Sequence, residues 1–324
     1  MVNDPPPPVI VVENLTKYFG KKCVVDHVSF AVPRGSVTAF LGRNGSGKST
    51  TLRILLGLLE PTLGRSEVLG HDSQNLPPAL RGQIGYLPES HPVIGWMSVD
   101  ATEKFQSAFY PNWNREVFQA TIEHFGLDRS AKAGALSRGQ RAGLALACVL
   151  APEPELLILD DPALGLDPVA RRALLETILY ITRSPGRTVL LSSHLLDDIE
   201  RIADYLLILD RSVLRAACPV EVFRERIAQF QVVFDHAPPE LPPIPGLLDS
   251  LRVNNALRIT VANPPADLEQ TLAALNPIEI LRQPVNFQDA VTAYMSDHRN
   301  RGFFLERPAS APPHAPRSAA GGAA

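Results

Sequence analysis

The sequence predicts an α/β protein whose core is a mixed, largely parallel sheet with a helical subdomain, followed by a small C-terminal α/β appendage. Three observations predict this arrangement. Short apolar strands alternate with helical patterns, residues 97–151 carry helical patterns without clear strands, and residues 229–295 mix short strands with helices. Strands that alternate with helices favour parallel pairing, because a parallel connection needs room for a crossover helix.

The first strand and helix of this pattern are short and adjacent. Ser36–Leu41 is an apolar run followed by glycine, which is typical of a buried strand. Thr50–Leu59 is predicted to be a helix, because its leucines recur at helical spacing. These leucines are Leu52, Leu55, Leu56 and Leu59.

The second half of the core repeats the alternation of strand and helix. Leu156–Leu159 is a predicted strand that ends in two acidic residues, and Val169–Ile181 is a predicted helix. Three further elements follow in the order strand, helix, strand: Val189–Leu191, Leu195–Ala203 and Tyr205–Leu209. We therefore expect a sheet with helices on its faces.

Proline placement predicts where regular structure stops. The chain has 30 prolines, and residues 1–8 and 307–324 are rich in them or in small residues. We expect both segments to be disordered tails. A third cluster, at 237–246, is predicted to be an irregular connection or spacer.

The domain prediction follows from these boundaries. We expect a main domain over residues 9–228, with its helical subdomain at about 90–151. Residues 229–300, with the runs QVVF and LRITV and a helical pattern over Asp267–Leu275, are predicted to form the small α/β domain.

Composition excludes several classes of protein. Of 324 residues, 45% are hydrophobic and 20% charged, which is enough apolar material for a full core. The net charge of −3 gives no support to nucleic-acid binding. The cysteines Cys23, Cys148 and Cys218 are far apart and form no CxxC pair, which argues against a disulfide scaffold and a cysteine zinc site. No signal peptide or membrane-spanning run is predicted.

Residues 42–50, Gly-Arg-Asn-Gly-Ser-Gly-Lys-Ser-Thr, match the phosphate-binding pattern GxxxxGK[ST]. Glycines let the backbone wrap around phosphate oxygens, and the following helix adds positive potential at its N-terminus. The alternative is a glycine-rich turn, but the flanking predicted strand and helix favour a nucleoside triphosphate site. The predicted nucleotide-binding residues here are Gly42, Asn44, Gly45, Ser46, Gly47, Lys48, Ser49 and Thr50. Lys48 would reach the β- and γ-phosphates, and the Ser49 hydroxyl would ligate Mg²⁺.

Two further motifs lie about a hundred residues downstream. Leu136–Gln140 reads LSRGQ and precedes a helix of small residues; by itself it could be a helix start with Ser137 as the N-cap. A hydrophobic strand then ends at Asp160-Asp161, the Walker B pattern, in which Asp160 would hold Mg²⁺ through water. The alternative for the two aspartates is an ordinary turn after a strand.

The chain closes this series with ALGLD, which ends at Asp167, and with LLSSH, which ends at His194. A histidine after a strand is more often a structural hydrogen-bonding residue. Its position after the other motifs favours a functional role here.

At this point the chain resembles the ATPase subunits of ABC transporters, over about residues 9–225. LSRGQ is similar to the family's signature motif, whose residues here are Ser137, Arg138, Gly139 and Gln140. ALGLD resembles the D-loop with Asp167, and His194 resembles the switch histidine. Phe19 occupies the position of the aromatic residue that stacks on adenine, with neighbouring Tyr18 as the fallback, although either could be core. Ile84–Glu89 resembles the Q-loop region, with Glu89 at the Q-loop position.

The resemblance implies a mechanism. Two copies, identical or paralogous, pack head to tail, so that Ser137 and Gly139 of one copy meet the γ-phosphate of ATP bound to the other. Asp167 would couple the two sites. Catalysis would involve Asp161, His194 and Glu89, with Mg²⁺ held by Ser49, Asp160 and Glu89.

Three positions depart from the commonest family residues. Glu89 stands where glutamine is usual, as in several export-type cassettes. Asp161 stands where the catalytic glutamate is usual; it is one methylene shorter, and misplacement of ~1 Å can cost ~10²-fold in rate, so we expect a functional but slow ATPase. Arg138 stands where glycine is common and is expected to project outward.

The leading prediction is therefore an ATPase subunit that powers transport, and more specifically export, through a separate transmembrane permease. It would lie at the inner face of the cell membrane, held there by this partner. Subunit contact is expected over about 89–125, where Trp96, Phe109, Tyr110 and Trp113 either face the partner or form subdomain core.

Two other classes are weighed against it. A cassette in DNA repair or translation would carry long coiled coils or a second phosphate cradle, and nucleic-acid binding is not expected at this charge. An unrelated P-loop kinase or GTPase would leave LSRGQ, ALGLD and His194 unexplained.

Overall fold

The computed structural model describes residues 6–182, 186–193 and 196–295. Fourteen strands and ten α-helices are present in these residues. The strands β1 to β14 are Ile10–Phe19, Lys22–Val32, Val37–Leu41, Leu63–Val68, His71–Asp72, Ile84–Leu87, Leu156–Asp160, Thr188–Ser193, Tyr205–Asp210, Val213–Pro219, Ile227–Val233, Leu247–Val253, Ala256–Ala262 and Glu279–Gln283. The helices α1 to α10 are Lys48–Leu55, Pro78–Arg81, Val99–Ser107, Arg115–His124, Arg138–Leu150, Pro168–Thr182, Leu196–Ile202, Val220–Glu225, Leu268–Ala273 and Phe287–Met295.

The central sheet has six strands in the order β10-β9-β3-β8-β7-β6. β9, β3, β8, β7 and β6 are parallel, and β10 pairs antiparallel with β9. Every residue of β3, β7, β8 and β9 is buried, because helices and a second sheet cover both faces. The predicted mixed, largely parallel sheet is confirmed.

A second sheet, β2-β1-β4-β5, is antiparallel and packs with α1 over one face of the central sheet. The sequence reading identified no strands in this region. β-Bulges between Val12 and Leu15 and again near Lys17 break the alternation of buried and exposed residues that would signal a strand. The opposite face of the central sheet is covered by α5, α6, α7, α8 and α10.

Helix α1 is shorter than predicted. It ends at Leu55, with Leu56 as its C-cap, because Gly57 follows in the left-handed conformation at φ +66°. Leu56 and Leu59 still pack against the core from the turn beyond the helix. The leucine spacing therefore identified the buried side chains correctly but overestimated the length of the helix.

Helices α3, α4 and α5 form a compact group with its own apolar core, which includes Val99, Phe118, Ile122 and Leu144. Gly143 allows α5 to pack closely against Phe125, since a Cβ at this position would overlap the Phe125 ring. α5 also contributes Leu146 and Leu150 to the core of the central sheet, so this helix joins the two layers.

The third sheet, β12-β13-β11-β14, is antiparallel and packs with α9 around Phe230, Ile259 and Leu272. The proline cluster at 237–246 connects β11 to β12. Helix α10 leaves this sheet and packs against α8, where Phe287 and Tyr294 contact the Phe223 ring edge to face. A separate domain over 229–300 stays a prediction, since β11 begins at Ile227 and α10 returns to the main core. The predicted C-terminal tail at 307–324 lies outside the described residues, and residues 6–8 have no regular secondary structure.

Candidate functional site

The glycine-rich loop lies between β3 and α1, at the carboxyl edge of the central sheet. A Cβ on Gly42 would overlap the Leu209 carbonyl oxygen, and a Cβ on Gly47, which has φ +110°, would overlap the Val24 carbonyl oxygen. Only glycine fits at these two positions, because backbone from two other strands approaches them directly. The loop is thus pressed into a tight cradle in front of the N-terminus of α1.

Lys48 is the first residue of α1 and lies inside this cradle, with 7% of its surface exposed. Its Nζ donates hydrogen bonds to the Gly42 carbonyl at 2.7 Å and the Arg43 carbonyl at 3.3 Å. Burial lowers the pKa of Lys48, while the charges of Asp161, Asp160 and Glu89 oppose that shift. The ammonium group is therefore already positioned where phosphate oxygens would approach.

Ser46 supplies an independent sign that the cradle fits an anion. Its Oγ is buried and has no hydrogen-bond partner among the described residues. A buried hydroxyl without a partner loses free energy, so a ligand oxygen that accepts its hydrogen bond would remove that penalty. The cradle thus fits a phosphate group on two grounds, its glycine-only backbone and this unpaired donor.

Asp160 ends β7 and faces the first turn of α1. Its Oδ1 accepts hydrogen bonds from Ser49 Oγ at 3.1 Å and Ser192 Oγ at 2.8 Å. A serine hydroxyl beside an aspartate carboxylate is a donor set suited to Mg²⁺, which takes one or two protein ligands together with phosphate and water. Among the described residues, no cluster of three or more His, Cys, Asp or Glu side chains could hold a metal ion.

Asp161 follows Asp160 in the left-handed backbone conformation, at φ +49°. Its amide donates to Ser192 Oγ at 2.8 Å and to the Ser192 carbonyl at 3.2 Å, which fixes this unusual backbone. Ser192 thus holds both aspartates. The sequence reading missed Ser192; the signal that could have found it was the serine pair before His194 in LLSSH. His194 itself lies outside the described residues.

Glu89 follows β6 and is exposed, near enough to Lys48 for its charge to stabilise the ammonium. The nearby His91, a second residue that sequence reasoning missed, is 2% exposed and adopts φ +45°. Burial lowers the pKa of His91, a hydrogen bond to the Pro162 backbone opposes the shift, and the charges of Arg138 and Arg141 lower it further. The segment after β6 therefore lies against Pro162, the residue that follows Asp161.

Phe19 ends β1 and is 51% exposed. Lys17 Nζ lies 5.3 Å from the Phe19 ring centroid and donates a hydrogen bond to the Glu60 carbonyl at 2.7 Å. Tyr18 is also partly exposed, and a hydrogen bond with Cys23 raises the pKa of its hydroxyl. Both aromatic candidates are accessible, and of these two side chains Phe19 is the one with a cation over its ring in the described part of the chain.

The LSRGQ segment forms the N-terminus of α5. Ser137 Oγ accepts from the Gln140 amide at 3.2 Å, and Gln140 Oε1 accepts from the Ser137 amide at 3.1 Å, which is a capping box. The local interpretation of Ser137 as a helix cap is confirmed. Ser137 is also exposed, so its hydroxyl and the helix N-terminus both face outward.

Asp167 immediately precedes α6 and caps it, since its Oδ1 accepts from the Val169 amide at 2.9 Å and the Ala170 amide at 3.0 Å. The expectation that Arg138 projects outward holds only in part. Although exposed, its guanidinium lies over Gly165, where a Cβ would overlap it. The signature segment and the ALGLD segment of one chain are therefore in direct contact.

A glycine cradle at a strand-to-helix junction, with a lysine inside it and an aspartate at the end of a parallel strand, defines a nucleotide-binding protein of the P-loop class. The family model for ABC transporters matches residues 25–164. A bacitracin transport ATP-binding protein is 31% identical to this chain, which covers 72% of that relative's length, so the chain belongs to the ABC transporter ATP-binding family.

Three relatives show the range of similarity. The bacitracin transport ATP-binding protein BcrA of Bacillus licheniformis is 31% identical over 67% of this chain and 72% of its own length. The Nod factor export ATP-binding protein I of Ralstonia nicotianae is 29% identical over 87% of this chain and 92% of its own. The probable multidrug ABC transporter ATP-binding protein YbhF of Escherichia coli is 39% identical over 59% of this chain, and the chain spans 34% of its length.

A solved ATP-binding subunit of an ABC transporter has a TM-score of 0.61 and 29% identity, over 67% of this chain and 92% of its own. In residues 6–182, 186–193 and 196–295, no helix combines the length and apolar character needed to span a bilayer.

Proposed function

We propose that this protein hydrolyses MgATP and thereby powers export through a separate membrane-spanning partner. The observation that carries the proposal is the meeting of Lys48, Ser49 and Asp160 at the carboxyl edge of the central sheet, with Ser49 Oγ 3.1 Å from Asp160 Oδ1. An ammonium, a hydroxyl and a carboxylate arranged around a glycine cradle are the groups that bind a triphosphate and its metal.

The binding roles follow from this geometry. Lys48 exchanges its hydrogen bonds to the Gly42 and Arg43 carbonyls for bonds to phosphate oxygens. Ser49, Asp160 and Glu89 would hold Mg²⁺, and the metal would neutralise charge on the phosphates. The Ser46 hydroxyl donates to phosphate and gains the partner that it lacks. Phe19 stacks on the adenine ring.

Asp161 is the general base of the proposed reaction. Its carboxylate accepts a proton from water as the water oxygen attacks the γ-phosphorus and the bond to the β-phosphate oxygen breaks. His194 is proposed to hold the γ-phosphate and this water. Because Asp161 is shorter than glutamate and its backbone is fixed by Ser192, we propose that turnover is slow.

A second copy of the fold completes the site. The exposed Ser137 and the N-terminus of α5 lie outside this chain's own cradle and suit a phosphate presented by a partner chain. Gln140 supports this position indirectly, since its Nε2 donates to the Gly126 carbonyl at 3.2 Å and so fixes the capping box.

The proposed docking surface for the membrane partner is a groove of about 420 Å³ between strand β6 and helices α3 and α5. Tyr86, Val93 and Val149 contribute to its lining. Trp96 and Phe109, in the same part of the chain, are 74% and 65% exposed. Trp113 instead packs against Phe118 and belongs to the core of α3, α4 and α5, and Tyr110 is partly buried beside it. Exposed aromatic side chains beside a groove are typical of a protein interface.

Export is the direction that the relatives' names favour, since they describe export of Nod factors and transport of drugs or bacitracin. We propose that the chain lies at the cytoplasmic face of the membrane, held there by its permease. The second cassette is either the same chain or a paralogue. An ATP-dependent dimer of the purified chain would show that it is the same chain.

The ATPase proposal is tested by phosphate release from wild type, Lys48→Ala and Asp161→Asn. We expect Lys48→Ala to lose ATP binding and Asp161→Asn to bind ATP while losing most turnover. Equal rates for wild type and Asp161→Asn would remove Asp161 as the base. Ser137→Arg should prevent an ATP-dependent dimer from forming in the Asp161→Asn background, where hydrolysis does not disperse it. A dimer unaffected by Ser137→Arg would refute the shared site.

The docking surface is tested by Trp96→Glu, with Tyr180→Glu as the matched control, since Tyr180 on α6 is 75% exposed. Trp96→Glu should abolish copurification of the multi-span membrane protein that the wild type is expected to retain in membrane extracts, and should leave ATPase activity of the purified chain intact. Equal copurification of both variants would place the partner elsewhere.

A further inference from the structure

Arg138 joins two segments that lie far apart in sequence. It is the first residue of α5, and its guanidinium lies over Gly165, which has φ +68°. A Cβ at Gly165 would overlap Nη1 and Cζ of Arg138, so the guanidinium occupies the space that a side chain would take. Arg138, at a position where the family commonly has glycine, thus contacts the ALGLD segment. This segment, residues 163–167, is the D-loop.

The next residue strengthens this contact. A Cβ on Gly139 would lie 2.5 Å from Ala170 Cβ and 3.6 Å from Asp167 Oδ2. The backbone of α5 therefore packs directly on the first turn of α6, which Asp167 caps. Arg138 and Gly139 together hold the second half of the D-loop.

The first half of the D-loop is held from another side. The buried His91 lies beside the backbone of Pro162, immediately before the D-loop, where that backbone opposes the lowering of the His91 pKa. Within the loop, the Leu164 amide donates to the Asp161 carbonyl at 3.0 Å and the Leu166 amide to the Ala163 carbonyl at 3.2 Å. Gly165 contributes no side chain to the packing, so the guanidinium of Arg138 replaces one at the centre of the loop.

We propose that Arg138 is a positioning residue that ties the signature segment to the D-loop of the same chain. Movement of the N-terminus of α5, when it closes on a partner's nucleotide, is thereby transmitted through Gly165 to the Asp160–Asp161 end of this chain's own site. The inference rests on the proposed shared site for its functional part, whereas the contact itself is independent of nucleotide. A chain with glycine in place of Arg138 would lack this link.

The contact is tested by hydrogen exchange of the full-length protein without nucleotide. In Arg138→Ala, the Leu164 and Leu166 amides should exchange about fivefold faster. The loop of this variant has no guanidinium contact to lose when it opens, so opening costs less free energy. The amides of Ala145–Leu150 should be unchanged, which excludes general unfolding. Arg172→Ala is the matched control, since Arg172 is an exposed arginine on α6 paired with Glu176. Unchanged exchange in the D-loop would overturn the proposal.

The transmission is tested by the ATP dependence of phosphate release. Arg138→Ala should lower the Hill coefficient toward one while KM changes less than about twofold, and Arg172→Ala should retain the wild-type curve. A large rise in KM with an unchanged Hill coefficient would place Arg138 on the partner's phosphates and overturn the proposal. If the wild type neither hydrolyses ATP nor dimerises, both the proposed function and the transmission through Arg138 are refuted. The hydrogen-exchange experiment would still test whether Arg138 holds the D-loop.

Discussion

Ser192 Oγ donates a hydrogen bond to Asp160 Oδ1 at 2.8 Å. The same oxygen accepts a hydrogen bond from the amide of Asp161 at 2.8 Å, so one hydroxyl on β8 positions the aspartate that would hold the metal and the one that would act as base. All three groups are buried, so the bonds are shielded from water and each is expensive to break.

We therefore expect Ser192→Ala to lower the rate of phosphate release by roughly tenfold to a hundredfold, since small displacements of reacting groups carry losses of that size. The free energy of unfolding should fall by about 1–2 kcal/mol, because the Asp161 amide loses a hydrogen bond and Asp160 loses a donor. Denaturant titration and a phosphate assay measure the two effects. Ser107→Ala, which removes an exposed hydroxyl on α3, should change neither, and a Ser192→Ala enzyme with wild-type turnover would contradict the prediction.

Phe19→Ala should raise the Kd for ATP about tenfold, since stacking on an aromatic ring contributes ~1 kcal/mol or more. Lys17→Met should raise it by a smaller factor, about threefold, because the ammonium over the ring holds Phe19 in place. Calorimetric titration measures both. In the Phe19→Ala background the second change should have no further effect. A loss of affinity in Tyr18→Ala but not in Phe19→Ala would assign the stacking role to Tyr18.

Gly143→Ala should lower the free energy of unfolding by about 1–3 kcal/mol, although alanine favours helices by ~1 kcal/mol over glycine. The added Cβ would lie 2.6 Å from Phe125 Cβ, so the phenyl ring must move. In a Phe125→Ala background the same substitution should cost less, because the contacts with Phe125 Cγ at 2.3 Å and Cδ1 at 2.8 Å are removed and only the contact with Cβ remains. Thermal or denaturant unfolding of the four proteins gives the answer, and equal losses in both backgrounds would refute it.

Alkaline pH should destabilise the fold through Cys218. Burial raises the pKa of this thiol to about 12, against the opposing charge of Arg226. The unfolded chain releases the thiol proton at a lower pH than the folded chain, so the folded state binds more protons and the free energy of unfolding decreases as pH rises. The slope is about 1.4 kcal/mol per pH unit between the two pKa values.

Tyr205, whose pKa burial also raises to about 12, adds to this slope at higher pH. Denaturant unfolding over a series of alkaline pH values should give a shallower dependence for Cys218→Ala than for wild type. Parallel curves for the two proteins would show that Cys218 ionises equally easily in both states.

The candidate site was largely predictable because its motifs are contiguous in sequence. The cradle at 42–50, the strand ending at Asp160 and the capped helix at Ser137 each satisfy local requirements: close backbone approach, a buried strand end and a helix start. Local requirements restrict residue types at fixed spacings, so they are visible without a structure.

The antiparallel sheet and the exact end of α1 were not predictable in the same way. In β1 the bulges shift the burial pattern, and in α1 the leucine spacing continues past the residue where the helix ends. Periodicity reports which side chains are buried, and burial can continue after the hydrogen-bonding pattern has changed.

By itself, the sequence predicted a phosphate cradle at residues 42–50 and placed the chain with proteins that share its series of motifs. Only the tertiary structure decided that Ser192 bridges Asp160 and Asp161 and that Arg138 lies over Gly165. Such contacts join residues on different strands and helices, and their energy depends on distances set by the packing of the whole core. No spacing along the chain encodes them, because the same residues would be far apart in any other arrangement of the sheet.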